Sequence, residues 1–320
     1  MRLRTLASRL ALPLLAAACQ SPVRTVPPPA EAPAELVALS GASILIGAGD
    51  IARCNSPADE ATAALVDSVL RADSSAKVED AVFLLGDNVY PDGTEQDYAL
   101  CFTPSWGDSA KRIMSKVRPT PGNHEYETGN AEAYYKYFGK RAGSAGKGYY
   151  SYDLGEWHVV ALNSEMVVNR SFTDLDRQAQ EDWLREDLKA SQKKCTVAYW
   201  HHPLLSSGWH GSDSRLGGFW RILYEHGVDL VLVGHDHNYE RFRPLSPVGV
   251  ADTTAGIVQI VAGTGGGGLR NFRNTIAPHS AFRLQGYYGV LKLTLGAGEW
   301  RSAFIDTNGT VWDPSGGKCH

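Results

Sequence analysis

The sequence predicts an α/β protein of four layers: an α-β-β-α sandwich of two mixed β-sheets with helices on both outer faces. Three observations predict it. Five short apolar runs end abruptly at Asp, Asn or His; amphipathic helical stretches lie between them; and alternating segments broken by Gly turns fill the middle and the end of the chain. Strand–helix alternation calls for parallel strands with helices outside, and alternating segments with tight turns call for antiparallel pairs. The 320 residues, 43% hydrophobic and 21% charged, have an ordinary globular balance and ample length for one large core. A formal net charge of -4 provides no basic footprint and argues against a stable nucleic-acid partner.

The chain begins with MRLRTLASRLALPLLAAAC, in which Arg2, Arg4 and Arg9 precede a short apolar segment and small residues. Residues 1–19 therefore read as a signal peptide. The apolar run is too short for a permanent membrane span. Cys19 after three alanines resembles a bacterial lipoprotein cleavage site, although Ala16 stands where Leu is usual. Two outcomes stay open: lipid anchoring to a membrane through Cys19, or cleavage and release. Residues 20–39, rich in Pro, Ala and Glu, read as a tether. The folded domain is expected over residues 40–320.

Export places the protein in the periplasm, outside the cell or on the cell envelope, where disulfides are possible. Cys54, Cys101, Cys195 and Cys319 allow three pairings. Cys54 with Cys101 is favoured, since both lie in loops just downstream of strand ends; Cys195 and Cys319 remain for each other. Free buried thiols are the alternative.

The apolar runs come next. SILIGAGDIA ends at Asp50, DAVFLLGDNVY at Asp87, KVRPTPGNHEY at Asn123, His124 and Glu125, CTVAYWHHP at His201 and His202, and VDLVLVGHDH at His235, Asp236 and His237. Short runs bounded by Gly or Pro read as buried strands. Ligands of open α/β sheets bind beyond the carboxyl ends of the strands. Glycines before Asp50, Asp87, Asn123 and His235 let the chain turn sharply there. One His-x-His pair could be a polar turn and nothing more; five such ends together point to one site.

Helices are expected over Ala58–Leu70, with Ala61, Leu65, Val66 and Val69 inward, and over the segment that starts at Thr173. In the latter Leu175, Ala179, Trp183, Leu184 and Leu188 share a face, and Thr173 with Asp176 forms a capping box. GFWRILYEHG reads as a helix stopped at Gly227. The segment KGYYSYDLGEWHVVALNS breaks at Leu154-Gly155-Glu156 as a hairpin, and the stretch from Tyr287 to Trp312 supplies further strands.

In order, GD at Asp50, GDNVY from Asp87 to Tyr90, GNHE at Asn123–Glu125, His201 in YWHHP and GHDH at His235–His237 resemble the calcineurin-like metallophosphoesterases. Tyr90, three residues after Asp87, narrows the resemblance to the purple acid phosphatase-like branch, here a bacterial exported form. It covers about Ile44 to Phe304 and implies the metallophosphoesterase fold. It also implies two metal ions. One, Fe(III), would take Asp50, Tyr90 and His237; the other, Fe(II), Zn(II) or Mn(II), would take Asn123, His201 and His235; Asp87 would bridge them. Carboxylate and phenolate suit the harder ion, imidazole and amide the softer one.

The resemblance implies hydrolysis of phosphate monoesters by a metal-activated hydroxide, on small phosphorylated substrates. The alternative is a phosphodiesterase on the same core, acting on nucleotides or phospholipid headgroups. A non-catalytic phosphate-binding surface protein is the third reading, opposed by the presence of all seven expected ligands. His124 is the first choice for contacting phosphate or assisting the leaving group, with Glu125 orienting it. His202 and His210 are candidates for the same mouth, against packing behind His201 and a mobile loop position respectively. A monomer is expected. The plant members' additional N-terminal β-domain has no counterpart between the tether and Ser43, which weakens any carry-over of their dimerisation.

Several residues receive plainer readings. Asp236 is an outward spacer or a group orienting a histidine; Tyr239 and Arg241 are structural. His158, His226, His279 and His320 are satisfied or exposed. Gly263–Phe272 lacks the Lys-Ser/Thr of a P-loop and reads as a flexible rim loop. Trp106, Trp209 and Trp220 are read as core packing, with a pocket wall as the alternative.

Overall fold

The computed structural model describes Leu39, residues 41–72 and residues 79–320. The expected signal peptide, Cys19 and all of the tether except Leu39 lie outside the described residues. In chain order the strands are β1 (Ser43–Ala48), β2 (Ala52–Arg53), β3 (Asp80–Leu85), β4 (Val89–Tyr90), β5 (Val117–Thr120), β6 (Tyr150–Leu154) and β7 (Trp157–Ala161). They continue with β8 (Cys195–Tyr199), β9 (Leu230–Val233), β10 (Tyr239–Phe242), β11 (Val258–Ala262), β12 (Ser280–Leu284), β13 (Gly289–Gly296), β14 (Glu299–Asp306) and β15 (Val311–Lys318).

Two large mixed sheets result. The first has the order β15-β14-β13-β1-β3-β5, parallel across β1, β3 and β5; the second has the order β12-β10-β11-β9-β8-β7-β6, parallel across β7, β8, β9 and β11. Period-two alternation puts successive side chains on opposite faces. Leu45, Phe83 and Leu85 thus join Val159, Val197 and Leu232 between the sheets. Ile44, Ile46, Val82 and Leu84 face outward, onto Val66 and Leu70 of the helix Ala58–Ala72. On the other outer face, Ala198, Val231 and Val233 pack against Leu184, Leu188, Phe219 and Leu223 from the helices Asp174–Ala190 and Gly217–Glu225. Each buried Val, Leu, Ile or Phe side chain among these contributes about 1.5–3 kcal/mol.

The five expected strands do not share a sheet. β1, β3 and β5 lie in the first and β8 and β9 in the second, so their carboxyl ends meet across the sandwich. The hairpin at Gly155-Glu156 joins β6 to β7. Thr173 Oγ1 accepts from Asp176 N at 3.3 Å while Asp176 Oδ2 accepts from Thr173 N at 2.8 Å, the reciprocal cap that starts its helix. Gly227, at φ +67°, ends the helix before β9.

Two helix faces are rotated from expectation. The first helix buries Asp59, Thr62, Ala63, Val66 and Leu70, leaving Ala61 exposed, because Thr62 Oγ1 donates to Gly265 O at 2.6 Å and turns a polar position inward. In the second, Leu175 and Ala179 are exposed and Gln180 is buried, where its side chain bonds both the N–H and the carbonyl of Asn163. Trp106 and Trp220 are in the core, but Trp209 is 64% exposed on a site loop.

Cys54 is bonded to Cys101 and Cys195 to Cys319, with Cα–Cα separations of 4.7 and 5.3 Å. The second bond ties the C-terminus to the start of β8. Arg241 on β10 reaches both carboxylate oxygens of Asp313 on β15 at 2.7 Å, and Tyr239 donates to the same carboxylate, so both residues fasten one sheet to the other. No helix among the described residues is long and apolar enough to cross a membrane.

Candidate metal centre

The carboxyl ends of β1, β3, β5, β8 and β9 deliver Asp50, Asp87, Asn123, His201 and His235 to one point between the sheets. The turns there are tight. Asp50, Asp87 and His235 all hold positive φ, at 57°, 47° and 69°. Such conformations cost non-glycine residues about 1–3 kcal/mol each and persist where the surroundings impose them. Gly122 allows the closest approach: a Cβ there would lie 2.3 Å from Asp87 Oδ1 and 2.9 Å from His201 Cγ.

All seven residues expected to ligate are brought together. Tyr90 Oη lies 2.9 Å from Asp50 Oδ1 and 3.2 Å from both Asp87 Oδ2 and His237 Nε2. His237 Nε2 is 3.2 Å from Asp50 Oδ1. On the other side His201 Nε2 lies 3.2 Å from Asn123 Oδ1, 3.1 Å from His235 Nδ1 and 3.3 Å from Asp87 Oδ2. Asp87 thus faces both groups.

The imidazole orientations test whether a cation fits. His201 Nδ1 donates to the Leu85 carbonyl at 2.7 Å, and His237 Nδ1 donates to the Gly268 carbonyl. In the neutral ring each Nε2 then carries a lone pair. His201 Nε2 points that lone pair at a carboxylate, an amide oxygen and another imidazole; His237 Nε2 points at a carboxylate and a phenol. The phenol can donate, but the Asp87 carboxylate, the Asn123 amide oxygen and the His201 lone pair are acceptors aimed at one another and need a positive charge between them, so the donor set fits metal ions. Without one, the protein places protons there. Burial works against charge on His201, but Asp87 outweighs it and pushes the imidazole up to about 10. Burial, then His201, pushes neighbouring His235 down to about 3. Burial also raises the Asp50 carboxyl, but His237 and His201 overcome it and hold the group below its usual range. Burial and the two aspartates push the Tyr90 phenol well above 10.

The surrounding residues divide less simply. His124 Nδ1 is held by the Pro91 carbonyl, and its Nε2 stands 3.8 Å from Asp87 Oδ2. Glu125 does not orient it. The Glu125 carboxylate is buried and accepts from Asn88 N at 2.8 Å, Gly122 N at 2.7 Å and Tyr98 Oη at 3.2 Å, clamping the loops after β3 and β5. His202 is buried with Nδ1 2.9 Å from Ser164 Oγ and its ring 4.3 Å from that of His235. Burial and its two histidine neighbours hold it well below 6.5. His201, His202 and His235 form a compact triple, but only His201 aims a nitrogen at Asp87. The ring of His210 lies 4.1 Å from that of His235.

Asp236 is no outward spacer. It is fully buried and accepts from His210 N at 2.7 Å and Gly211 N at 3.1 Å, so it fixes the loop that carries His210. The glycine-rich segment is pinned: Gly265 N and Gly267 N donate to the carbonyls of Gly49 and Asp50, at 2.9 and 2.7 Å. A Cβ on Gly267 would lie 2.4 Å from the Tyr90 ring. That segment walls the Tyr90 side of the centre, a role only its glycine content hinted at. A polar cleft of ≈ 410 Å³ opens on the His235 side, lined by His202, His210, Ser212, Ser214 and Arg215. His158 is satisfied: it is buried between Asp153 and Asp187, each 2.9 Å away. His226 bonds the Ile222 carbonyl, His279 sits in a loop at φ 64°, and His320 faces Gly256.

The chain is similar to known proteins. The chain is 29% identical over 202 residues to acid phosphatase type 7 of Homo sapiens, covering 55% of this chain and 44% of that one. It is 30% identical over 220 residues to purple acid phosphatase 15 of Arabidopsis thaliana, covering 58% and 40%. The chain thus spans less than half the length of these relatives. Among solved structures, purple acid phosphatase PPD1 from yellow lupin (Lupinus luteus) seeds superposes with a TM-score of 0.66 at 21% identity, over 86% of this chain and 53% of that one. GAP50, the anchor in the inner membrane complex of Plasmodium, superposes at 0.69 and 14% identity, over 87% and 89%. At these identities the structural likenesses establish the fold. The model of the calcineurin-like phosphoesterases matches residues 46–239, more than half of the chain, and the chain belongs to that family.

Proposed function

We propose that the protein hydrolyses phosphate monoesters at a binuclear metal centre. One observation carries the reading: His201 Nε2 faces Asp87, Asn123 and His235 with no hydrogen to offer them in the neutral ring. Asp50, Tyr90 and His237 would hold one ion, which we assign as Fe(III) from the phenolate. Asn123, His201 and His235 would hold a divalent Fe, Zn or Mn, with Asp87 shared. Such a pair supplies a Lewis-acidic platform that favours hydroxide over water and offsets charge on phosphoryl oxygens.

The chain's own residues do the rest. The Pro91 carbonyl takes the Nδ1 hydrogen and fixes the His124 ring with Nε2 toward the centre, so His124 would meet a phosphoryl oxygen or a leaving alkoxide as the imidazolium, through its Nε2–H. His202 and His210 line the open side, and the buried Glu125 and Asp236 hold the loops that carry His124 and His210. The cleft is small and polar, lined by histidines and serines with Asp213 paired to Arg215, and its size suits a monoester with a compact alcohol. Two disulfides fit an oxidising compartment, in keeping with export; Cys19 would decide between release and lipid anchoring.

The test compares p-nitrophenyl phosphate with its bis ester on protein of measured metal content. Faster turnover of the monoester is expected. Faster turnover of the diester would move the assignment to a phosphodiesterase. Two bound equivalents of metal with no turnover of either would leave a phosphate-binding protein.

A further inference from the structure

His210 reaches the cleft from a loop whose backbone is fixed from two sides. Asp236 holds it from within, at His210 N and Gly211 N. Arg273 holds it from the rim: its backbone N donates to Ser207 O at 2.9 Å and its guanidinium to Trp209 O and, at 3.0 Å, to His210 O. Arg270 makes a different contact. Its backbone N donates to His237 O at 3.0 Å, and its Nη1 lies 2.7 Å from His210 Nε2. The Arg270 side chain therefore bears on the imidazole, while the loop backbone is held without it.

A guanidinium only donates. His210 Nε2 is therefore the acceptor, and the neutral ring carries its hydrogen on Nδ1. We propose that Arg270 is a positioning residue for His210: it occupies Nε2, fixes the ring beside His235, and leaves Nδ1–H as the group that His210 offers to a phosphoryl oxygen in the cleft. With its lone pair engaged, His210 serves as a fixed donor and not as a proton acceptor. Arg270 also links the two halves of the centre, since its backbone holds the strand end that bears His237. This inference rests on the phosphoester reading of the site.

The test uses the full chain loaded with Zn(II), with its histidines labelled in nitrogen-15. Long-range proton–nitrogen spectra should show His210 protonated at Nδ1 and bare at Nε2, and Arg270→Ala should move hydrogen toward Nε2. In kinetics with p-nitrophenyl phosphate, Arg270→Ala should raise KM about 5- to 10-fold, the worth of one hydrogen bond, with kcat nearly unchanged. His210→Ala should do the same, and the double variant should be no worse than His210→Ala alone. Arg270→Lys should recover most of the loss, because an ammonium can still donate to Nε2. Wild-type His210 protonated at Nε2, or additive effects of the two substitutions, would overturn the proposal. A zinc-loaded wild type that hydrolyses nothing would instead overturn the phosphoester reading, leaving the spectra to decide the tautomer.

Discussion

His201 Nε2 lies 3.3 Å from Asp87 Oδ2, and once His201 Nδ1 donates to Leu85 the neutral ring has no hydrogen to place between them. Two buried acceptors at that distance repel unless a cation separates them. Asp87→Asn keeps the shape and removes the charge. The variant should lose at least one equivalent of metal and fall in turnover by about 10²–10³-fold, the scale for losing one preorganised charge-stabilising group. Metal analysis and p-nitrophenyl phosphate hydrolysis on one sample check it. Full metal content with full activity would remove Asp87 from the centre.

Gly122 tests the geometry without touching a donor. Its missing Cβ leaves room for Asp87 Oδ1 and the His201 ring, both within 3 Å of where that atom would stand. Gly122→Ala should displace Asp87 and abolish metal binding while far-ultraviolet dichroism stays native. Gly217→Ala is the comparison: nothing lies within 4 Å of its Cβ, at the start of a helix. It should keep metal and keep its stability, since the added methyl meets nothing and the backbone is already helical there. Equal metal loss in both variants would mean a general fault of folding.

Much of this centre was legible because its donors sit directly after apolar runs, and a run that ends at Gly-Asp or Gly-His advertises both a strand and its terminus. Which sheet each strand joins was not legible, since β1 and β9 read alike in isolation yet lie in opposite sheets. Helix faces misled for a related reason. Thr62 and Gln180 are buried because loops 203 and 17 residues distant supply their partners, and local periodicity carries no trace of a partner. Glu125 and Asp236 looked like neighbours of histidines and proved to be buried acceptors for backbone N–H groups. Arg270 stands in no motif; only the folded rim brings it to His210.

Tyr90 provides a test of the Fe(III) proposed at its side of the centre. Its hydroxyl lies 2.9 Å from Asp50 Oδ1, and burial with the two aspartates keeps the phenol neutral in the protein alone. A trivalent ion reverses that balance and binds phenolate, which absorbs visible light. Iron-loaded, air-oxidised protein should be purple or pink, and Tyr90→Phe should lose the band while retaining its fold. A colourless wild type that takes up two equivalents of zinc or manganese and hydrolyses the monoester would keep the phosphoesterase and withdraw Fe(III).

His158 provides a pH dependence remote from the metals. It is buried on β7, with Nδ1 2.9 Å from Asp153 and Nε2 2.9 Å from Asp187, whose other oxygen accepts from Ser151 Oγ at 2.6 Å. Burial disfavours the imidazolium, but Asp187 and then Asp153 outweigh it, and the ring is raised above 6.5. A histidine raised on folding binds its proton more tightly in the native state. Its stabilisation is complete below the unfolded value and fades as pH climbs from about 6.5 through the higher folded value. The contact ties β6 and β7 to the helix Asp174–Ala190, so its loss should register in global unfolding. His158→Gln keeps a donor and removes the charge. The difference in Tm between wild type and variant should be larger at pH 5.5 than at pH 9, measured on metal-free protein so that ligand binding does not contribute. A difference independent of pH would show that His158 contributes by packing and neutral hydrogen bonds alone.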